Sequence, residues 1–176
     1  ILVWNVGANI YLAPQHSILL ESIKANCIDI ACLQEFRNND ILRPLRTLRP
    51  ISVWPSILTR VGSNQNPHVF GGSLIASRLG YLTRDVTTTL VGSVEFNSVC
   101  VSASFHIVNA YFPILFNDTR GSVFDDAPFL TYVQNLSSLS DSSTLIAGDF
   151  NVNLNSFPNE TPRGQTLHKL LNLGFE

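Results

Sequence analysis

Methionine is absent from the sequence, cysteine is scarce, and charge is sparse: 14% of the 176 residues are Asp, Glu, Lys or Arg, and the formal net charge is −2. Each shortage excludes something. A chain that opens on Ile1 and contains no methionine has no translational start, so a piece cut from a longer polypeptide is expected. The near-neutral balance removes bulk electrostatics as a source of tight nucleic-acid affinity. Cys27, Cys32 and Cys100 are an odd number set in or beside apolar runs, which predicts reduced, buried thiols and an intracellular protein. No apolar stretch reaches the about 18–20 residues of a membrane-spanning helix, and no basic segment leads into one, so neither an anchor, a signal peptide nor a membrane partner is expected. Linker-like and repeated segments are missing too. What remains is 45% hydrophobic, enough to bury one sizeable core, and predicts a single domain over 1–176.

The chain is organised around Leu145-Ile146-Ala147-Gly148-Asp149-Phe150-Asn151. A short apolar run flanked by polar turns reads as a strand buried on both faces, and the carboxyl end of such a strand is where open α/β sheets place their chemistry. Gly148 allows a sharp turn, after which Asp149 and Asn151 point into one crevice while Phe150 packs behind. Taken alone, the stretch reads equally well as a polar strand-to-loop turn.

Upstream, Ile1 to Trp4 forms a strand ending at Asn5, and Gly7 turns the chain. Pro14 opens a helix with Ile18, Leu19, Ile23 and Cys27 at helical spacing, and Ile28 to Leu33 forms a second buried strand ending at Gln34-Glu35. This β-α-β order implies parallel strands, so Asn5 and Glu35 share a rim. From Phe36 to Val69 four prolines predict loops and short turns, with an edge strand within Ile51 to Leu58. Strands follow at Gly71 to Ser77, Leu82 to Leu90, Ser93 to Ser104 and Phe105 to Ala110, the last three antiparallel, and the series ends at Tyr111-Phe112-Pro113. Asp125 or Asp126 caps a helix bearing Phe129, Val133, Leu136 and Leu139, and an amphipathic helix spans Gly164 to Leu173.

Seven of the eleven basic residues, Arg37, Arg43, Arg46, Arg49, Arg60, Arg78 and Arg84, share their stretch with one acid, Asp40. A basic surface and a solvated arginine-rich connection are both compatible with that spacing.

Strand ends thus offer Asn5, Glu35, Tyr111, Asp149 and Asn151 to one rim. Carboxylates from two strands suit a hard cation such as Mg²⁺, and amides and a phenol suit phosphate oxygens. Singly, each residue is a common turn former or cap.

In order along the chain, Trp4-Asn5, Leu33-Gln34-Glu35, Gly71-Gly72-Ser73-Leu74-Ile75, Tyr111-x-Pro113 and Gly148-Asp149-Phe150-Asn151 resemble the motifs of the endonuclease/exonuclease/phosphatase superfamily. That resemblance implies a four-layer α/β sandwich, two mixed β-sheets packed face to face with helices outside, and a Mg²⁺-dependent phosphoesterase, with Mn²⁺ as a substitute. The tail Arg163-Gly164-Gln165-Thr166-Leu167 with Leu170, Leu171 and Leu173-Gly174-Phe175 is similar to the segment that follows in endonuclease domains of non-LTR (LINE-like) retrotransposons. The implied protein is a nuclear DNA-nicking endonuclease, fused to a reverse transcriptase and leaving a 3′-hydroxyl primer. In it Glu35 is the principal metal ligand with Asn5 beside it, Asp149 activates water, Asn151 holds the scissile phosphate, and Tyr111 hydrogen-bonds to that phosphate. Arg43, Arg46 and Arg49 would contact the DNA backbone.

The pattern departs from the family in two places. Gly7 stands where abasic-site nucleases carry an acid, and the closing Ser-Asp-His motif with its C-terminal strands is absent, so the sandwich is expected to be incomplete at that end. His16 and His168 lie on predicted helices, His68 in a loop and His106 in a strand, so none replaces the missing imidazole. Two other functions remain open: a superfamily phosphoesterase acting on a phosphoinositide, sphingolipid or RNA tail, and a catalytically dead fragment serving as an interaction module.

Overall fold

A computed structural model describes residues 1–7, 13–35, 52–55, 59–61, 68–70, 73–77, 94–102, 104–112, 125–139, 143–152 and 162–175. In chain order the elements are β1 (Leu2–Asn5), α1 (Ala13–Ala25), β2 (Ile30–Gln34), β3 (Ser52–Pro55), β4 (Thr59–Val61), β5 (His68–Phe70), β6 (Ser73–Ser77), β7 (Glu95–Ser102), β8 (Phe105–Tyr111), α2 (Ala127–Ser137), β9 (Ser143–Asp149) and α3 (Pro162–Asn172).

Every residue of β2 is buried, because both faces of this strand are covered. Successive side chains point to opposite faces of a strand. Ala31 and Leu33 accordingly pack outward with Leu74 and Ala76 of β6 against Leu19 and Ile23 of α1. Ile30 and Cys32 pack inward with Ile75 against Val99, Ile107 and Ala147 of the facing sheet. Each aliphatic side chain buried this way contributes roughly 1.5–3 kcal/mol. The facing sheet repeats the arrangement: Phe96, Val108 and Ala110 pack outward against Phe129, Val133 and Leu136 of α2 and Leu170 of α3. The layers are therefore α1, a sheet ordered β1-β2-β6-β3, a sheet ordered β7-β8-β9, and the pair α2 and α3.

Both sheets are mixed, as expected. β1 runs parallel to β2, with β6 antiparallel to β2 and β3 antiparallel to β6. β8 runs antiparallel to β7 and parallel to β9. The pair β4 and β5 forms a separate antiparallel ribbon, so His68 begins a strand and not a loop. The predicted strand at 82–90 lies outside the described residues.

Four local expectations change. Among the described residues β9 is an edge strand in which Ala147 alone is buried and Leu145 is 36% exposed, although Ile146 packs toward the helices and Ala147 toward the facing sheet. Cys27 lies past the end of α1 and is exposed, whereas Cys32 is buried and Cys100 half-buried; all three are free thiols. Cys27 adopts a left-handed φ of 50°, and its N–H and that of Ile28 close onto the carbonyls of Lys24 and Ile23. This Schellman closure ordinarily takes glycine, as α3 does with Gly174. Ile18 and Leu139 are exposed, the latter because α2 ends at Ser137. Of the two cap candidates it is Asp125 that serves, its Oδ1 accepting the Ala127 N–H at 3.1 Å, while Asp126 makes no capping bond and its carboxylate accepts from Thr166 Oγ1 at 2.6 Å and pairs with Lys169 at 2.9 Å, fixing α3 to the start of α2. Among the described residues no helix is long and apolar enough to cross a membrane.

Candidate active site

Parallel pairing places chemistry at one rim. The β1–β2 register sets Asn5 opposite Gln34, so Glu35 leaves the sheet one residue beyond Asn5's partner. The β8–β9 register sets Tyr111 opposite Asp149, and β7, running the other way, begins with Glu95 opposite Tyr111. The carboxyl ends of all four parallel strands therefore meet where the two sheets face each other.

Two side-chain hydrogen bonds cross between the sheets at that rim. Asn5 Nδ2 donates to Asp149 Oδ2 at 2.5 Å, and the Tyr111 hydroxyl donates to Glu35 Oε1 at 2.9 Å. Asp149 is held further by Asn151, whose backbone N–H reaches Oδ1 at 2.9 Å and whose Nδ2 lies 3.3 Å from Oδ2. The Asn151 amide also donates to the Phe112 carbonyl at 2.8 Å, while Asn5 Oδ1 accepts the Gly7 N–H at 2.9 Å. All five rim residues expected from the sequence are thus linked. Arg43, Arg46 and Arg49 lie outside the described residues.

Directly beneath the rim, before the apolar inter-sheet cluster of Ile30, Cys32 and Ile75 with Val99, Ile107 and Ala147, lies a polar layer. Gln34 Nε2 donates to Asn109 Oδ1 at 2.6 Å, and Asn109 Nδ2 donates to the carbonyls of Leu33 and Leu74, each at 3.0 Å. Ser73 Oγ donates to Asn97 Oδ1 at 3.2 Å. Buried amides demand partners, and these partners come from opposite sheets, so the network fixes how one sheet sits on the other.

Backbone conformations at the rim are as specific as its side chains. Glu35 and Asn151 adopt left-handed φ values of 55° and 48°. Asparagine tolerates that region, but glutamate there costs about 1–3 kcal/mol, which surrounding structure must offset. Gly148 serves a purpose different from the expected turn: it lies inside β9 at φ 150°, and a Cβ there would sit 1.8 Å from the Ala110 carbonyl oxygen. Phe150 then turns inward and stacks edge-on against Phe112, with ring centroids 5.0 Å apart.

Glu95 is the site residue that sequence reasoning missed. It is 3% exposed and faces the same inter-sheet space as Tyr111. The signal was present in the alternation Val94, Glu95, Phe96, Asn97: in a central layer covered on both sides, the polar positions are buried as well. The Tyr111 hydroxyl is held well above its ordinary pKa, first by burial, then by the charge and hydrogen bond of Glu35, then by the charges of Glu95 and Asp149. It is a proton donor at any working pH.

Among the described residues no group of three or more His, Cys, Asp or Glu gathers at metal-ligand spacing. The oxygen donors at the rim are the Glu35 carboxylate, bonded to Tyr111, and the Asp149 carboxylate and Asn5 amide, bonded to each other, with no thiolate or imidazole bonded to any of them. Such a set fits Mg²⁺ or Mn²⁺, which take few protein ligands and keep several waters.

Neither a protein-family model nor a curated protein sequence matches this chain. Solved structures do. An AP endonuclease from Archaeoglobus fulgidus superposes over 100% of this chain and 72% of its own, with a TM-score of 0.59 and 19% identity. An endonuclease/exonuclease/phosphatase family protein from Leptotrichia buccalis superposes over 98% and 73%, at 0.61 and 13%. The TDP2 of D. rerio superposes over 98% and 63%, at 0.56 and 15%. The fold is that of the endonuclease/exonuclease/phosphatase proteins. Identities this low establish a shared fold and not a shared activity. The chain spans half to about three quarters of the length of such structures, from 50% of a Caenorhabditis elegans TDP2 to 73% of the Leptotrichia protein.

Proposed function

We propose that the chain is a divalent-metal-dependent phosphodiesterase acting on DNA and, more finely, the nicking endonuclease of a non-LTR retrotransposon. The observation that carries this reading is the pair of inter-sheet hydrogen bonds, Asn5 to Asp149 and Tyr111 to Glu35, which assemble oxygen donors, a fixed carboxylate and a fixed phenol in one rim. DNA as substrate is supported by the D. rerio TDP2 solved with a single-strand DNA product and by a Neisseria 3′ phosphatase, NExo, solved with a product DNA hairpin.

In this reading Glu35, with Asn5 beside it, holds the cation. The bound cation supplies neutralisation of the phosphate and of the leaving oxygen. Asp149, its two oxygens oriented by Asn5 and Asn151, takes a proton from the attacking water. The water oxygen bonds to phosphorus in line with the bond to the 3′ oxygen; that bond breaks, and the 3′ oxygen leaves as an alkoxide that takes a proton from solvent to become the hydroxyl. Tyr111, kept protonated by its surroundings, turns its one O–H from Glu35 to a phosphate oxygen as charge develops. The Arg163-Gly164 tail supports the retrotransposon assignment. The same assignment includes a nuclear site of action and, supplied by sequence following Glu176, a reverse transcriptase and the Ser-Asp-His motif. His106 stands five residues before Tyr111 in β8, and His168 is exposed on α3.

The test is nicking of supercoiled plasmid in Mg²⁺ by this chain and by a version extended through the next Ser-Asp-His. The expected result is slow nicking, lost on Asp149→Asn, with 3′ ends that a polymerase extends, and ~10²–10⁴ faster nicking in the extended chain. Release of phosphate from a phosphoinositide without plasmid nicking would replace this reading with a lipid phosphatase.

A further inference from the structure

Arg163 is the second residue of α3, and the helix carries it to the rim by two attachments. Thr166, three residues on, is fully buried and bonded to Asp126, and Leu167, four residues on, packs in the aromatic cluster that contains Phe150 and Phe112. Residues three and four apart share a helix face, so the side of α3 that bears Arg163 is the side laid against the segment between Asp149 and Asn151. The Arg163 side chain is half-buried there, beside a Gly164 that is buried outright. Burial lowers the guanidinium's pKa from its ordinary value, while Tyr111 and Asp149 act electrostatically in the opposite direction, in keeping with that placement of α3. A guanidinium remains charged under such conditions.

The rest of the described rim is acidic or neutral: Glu35, Glu95 and Asp149 with Asn5, Asn151 and Tyr111. A phosphodiester entering it meets three carboxylates, and a planar cation with several N–H donors is the group that matches its oxygens in pairs. We propose that Arg163 is a phosphate-binding residue of this site, contacting a non-bridging oxygen of the substrate from the α3 side. The proposal rests on the phosphodiesterase reading for its substrate but not for its ligand chemistry, since inorganic phosphate carries the same oxygens.

Two measurements separate those dependences. The first follows the Arg163 side-chain N–H resonance of the intact chain during titration with inorganic phosphate. A saturable shift is expected in the wild type, and an unmoved resonance overturns the proposal. The second compares binding of a short DNA duplex by wild type, Arg163→Gln, Arg163→Lys and the exposed control Lys24→Gln across salt concentrations. Arg163→Gln should weaken binding about tenfold or more and reduce the salt slope by about 1, Arg163→Lys should keep the slope while losing part of the affinity, and Lys24→Gln should match wild type. DNA binding equal in wild type and Arg163→Gln overturns the Arg163 assignment and leaves the nuclease reading standing. Phosphate binding at Arg163 with no DNA binding by the wild type supports Arg163 and overturns the nuclease reading.

Discussion

The two halves of the rim solve the same problem with different materials. In each, a parallel strand pair brings its carboxyl ends to the inter-sheet space, β1 with β2 on one side and β8 with β9 on the other. The β1–β2 half is backed by aliphatic side chains and one helix, and it presents its carboxylate from a left-handed residue, Glu35. The β8–β9 half is backed by an aromatic cluster and two helices, and it presents its carboxylate from extended backbone that follows a glycine pressed against the neighbouring strand. One half stores its strain at the carboxylate residue itself. The other places its special backbone at Gly148 and at Asn151, a residue type that tolerates the left-handed region, and leaves Asp149 between them extended.

The largest effect should come from a methyl group on the β9 side. Gly148→Ala drives a Cβ into the Ala110 backbone, whereas the Cβ of Gly7→Ala meets nothing within 4 Å and pays only for its left-handed φ of 61°. Gly148→Ala should cost at least ~3 kcal/mol and Gly7→Ala about 1 kcal/mol, read from urea unfolding. Similar losses at the two positions would mean that β8 and β9 are not in the tight register described.

Next is the hydroxyl that joins the halves. The unfolded phenol ionises near pH 10.0, while folded Tyr111 keeps its proton well above that, so the stability this group contributes is fully present below pH 10 and lost as pH rises. The loss should approach about 1.4 kcal/mol per pH unit above that point. Burial also pushes the Cys32 thiol up to about 12 from 9.0, which starts the decline earlier. Tyr111→Phe should lower stability at pH 7 by about 1–2 kcal/mol and flatten the decline above pH 10 without moving its onset near pH 9. A profile that is unchanged by Tyr111→Phe would remove the proposed tie to Glu35.

The smallest effect is expected at the strained residue. Glu35→Gly relieves the left-handed backbone by about 1–3 kcal/mol while losing the bond from Tyr111, worth about 1–2 kcal/mol, so its net effect should lie within about 1 kcal/mol of zero, whereas Asn151→Gly has little strain to relieve and loses the bond to the Phe112 carbonyl, so it should cost about 1 kcal/mol. A strong loss of stability on Glu35→Gly would place the worth of Glu35 in folding and not in ligand binding.

How much of this was legible beforehand follows from what one-dimensional patterns record. The strand ends were legible, because apolar runs stopping at Asn5, Glu35, Tyr111 and Asp149 mark where chain leaves a sheet. Glu95 was legible only as the polar position of an alternating strand, because its burial depends on the second sheet that covers that face, and Arg163 was not legible as a site residue, because it owes its place to a helix docked through Asp126. The role of Gly148 was half legible. Its identity pointed to special backbone, but close approach to Ala110 depends on parallel pairing across more than thirty residues of intervening chain, which no local signal carries.

The most direct test of the account is calorimetric titration of the intact chain with Mg²⁺, repeated on Glu35→Gln and on Asp29→Asn, an exposed acid ahead of β2. The account predicts one binding event in wild type, retained by Asp29→Asn and strongly weakened in Glu35→Gln. Equal binding by all three proteins, or loss of binding in Asp29→Asn alone, would contradict it.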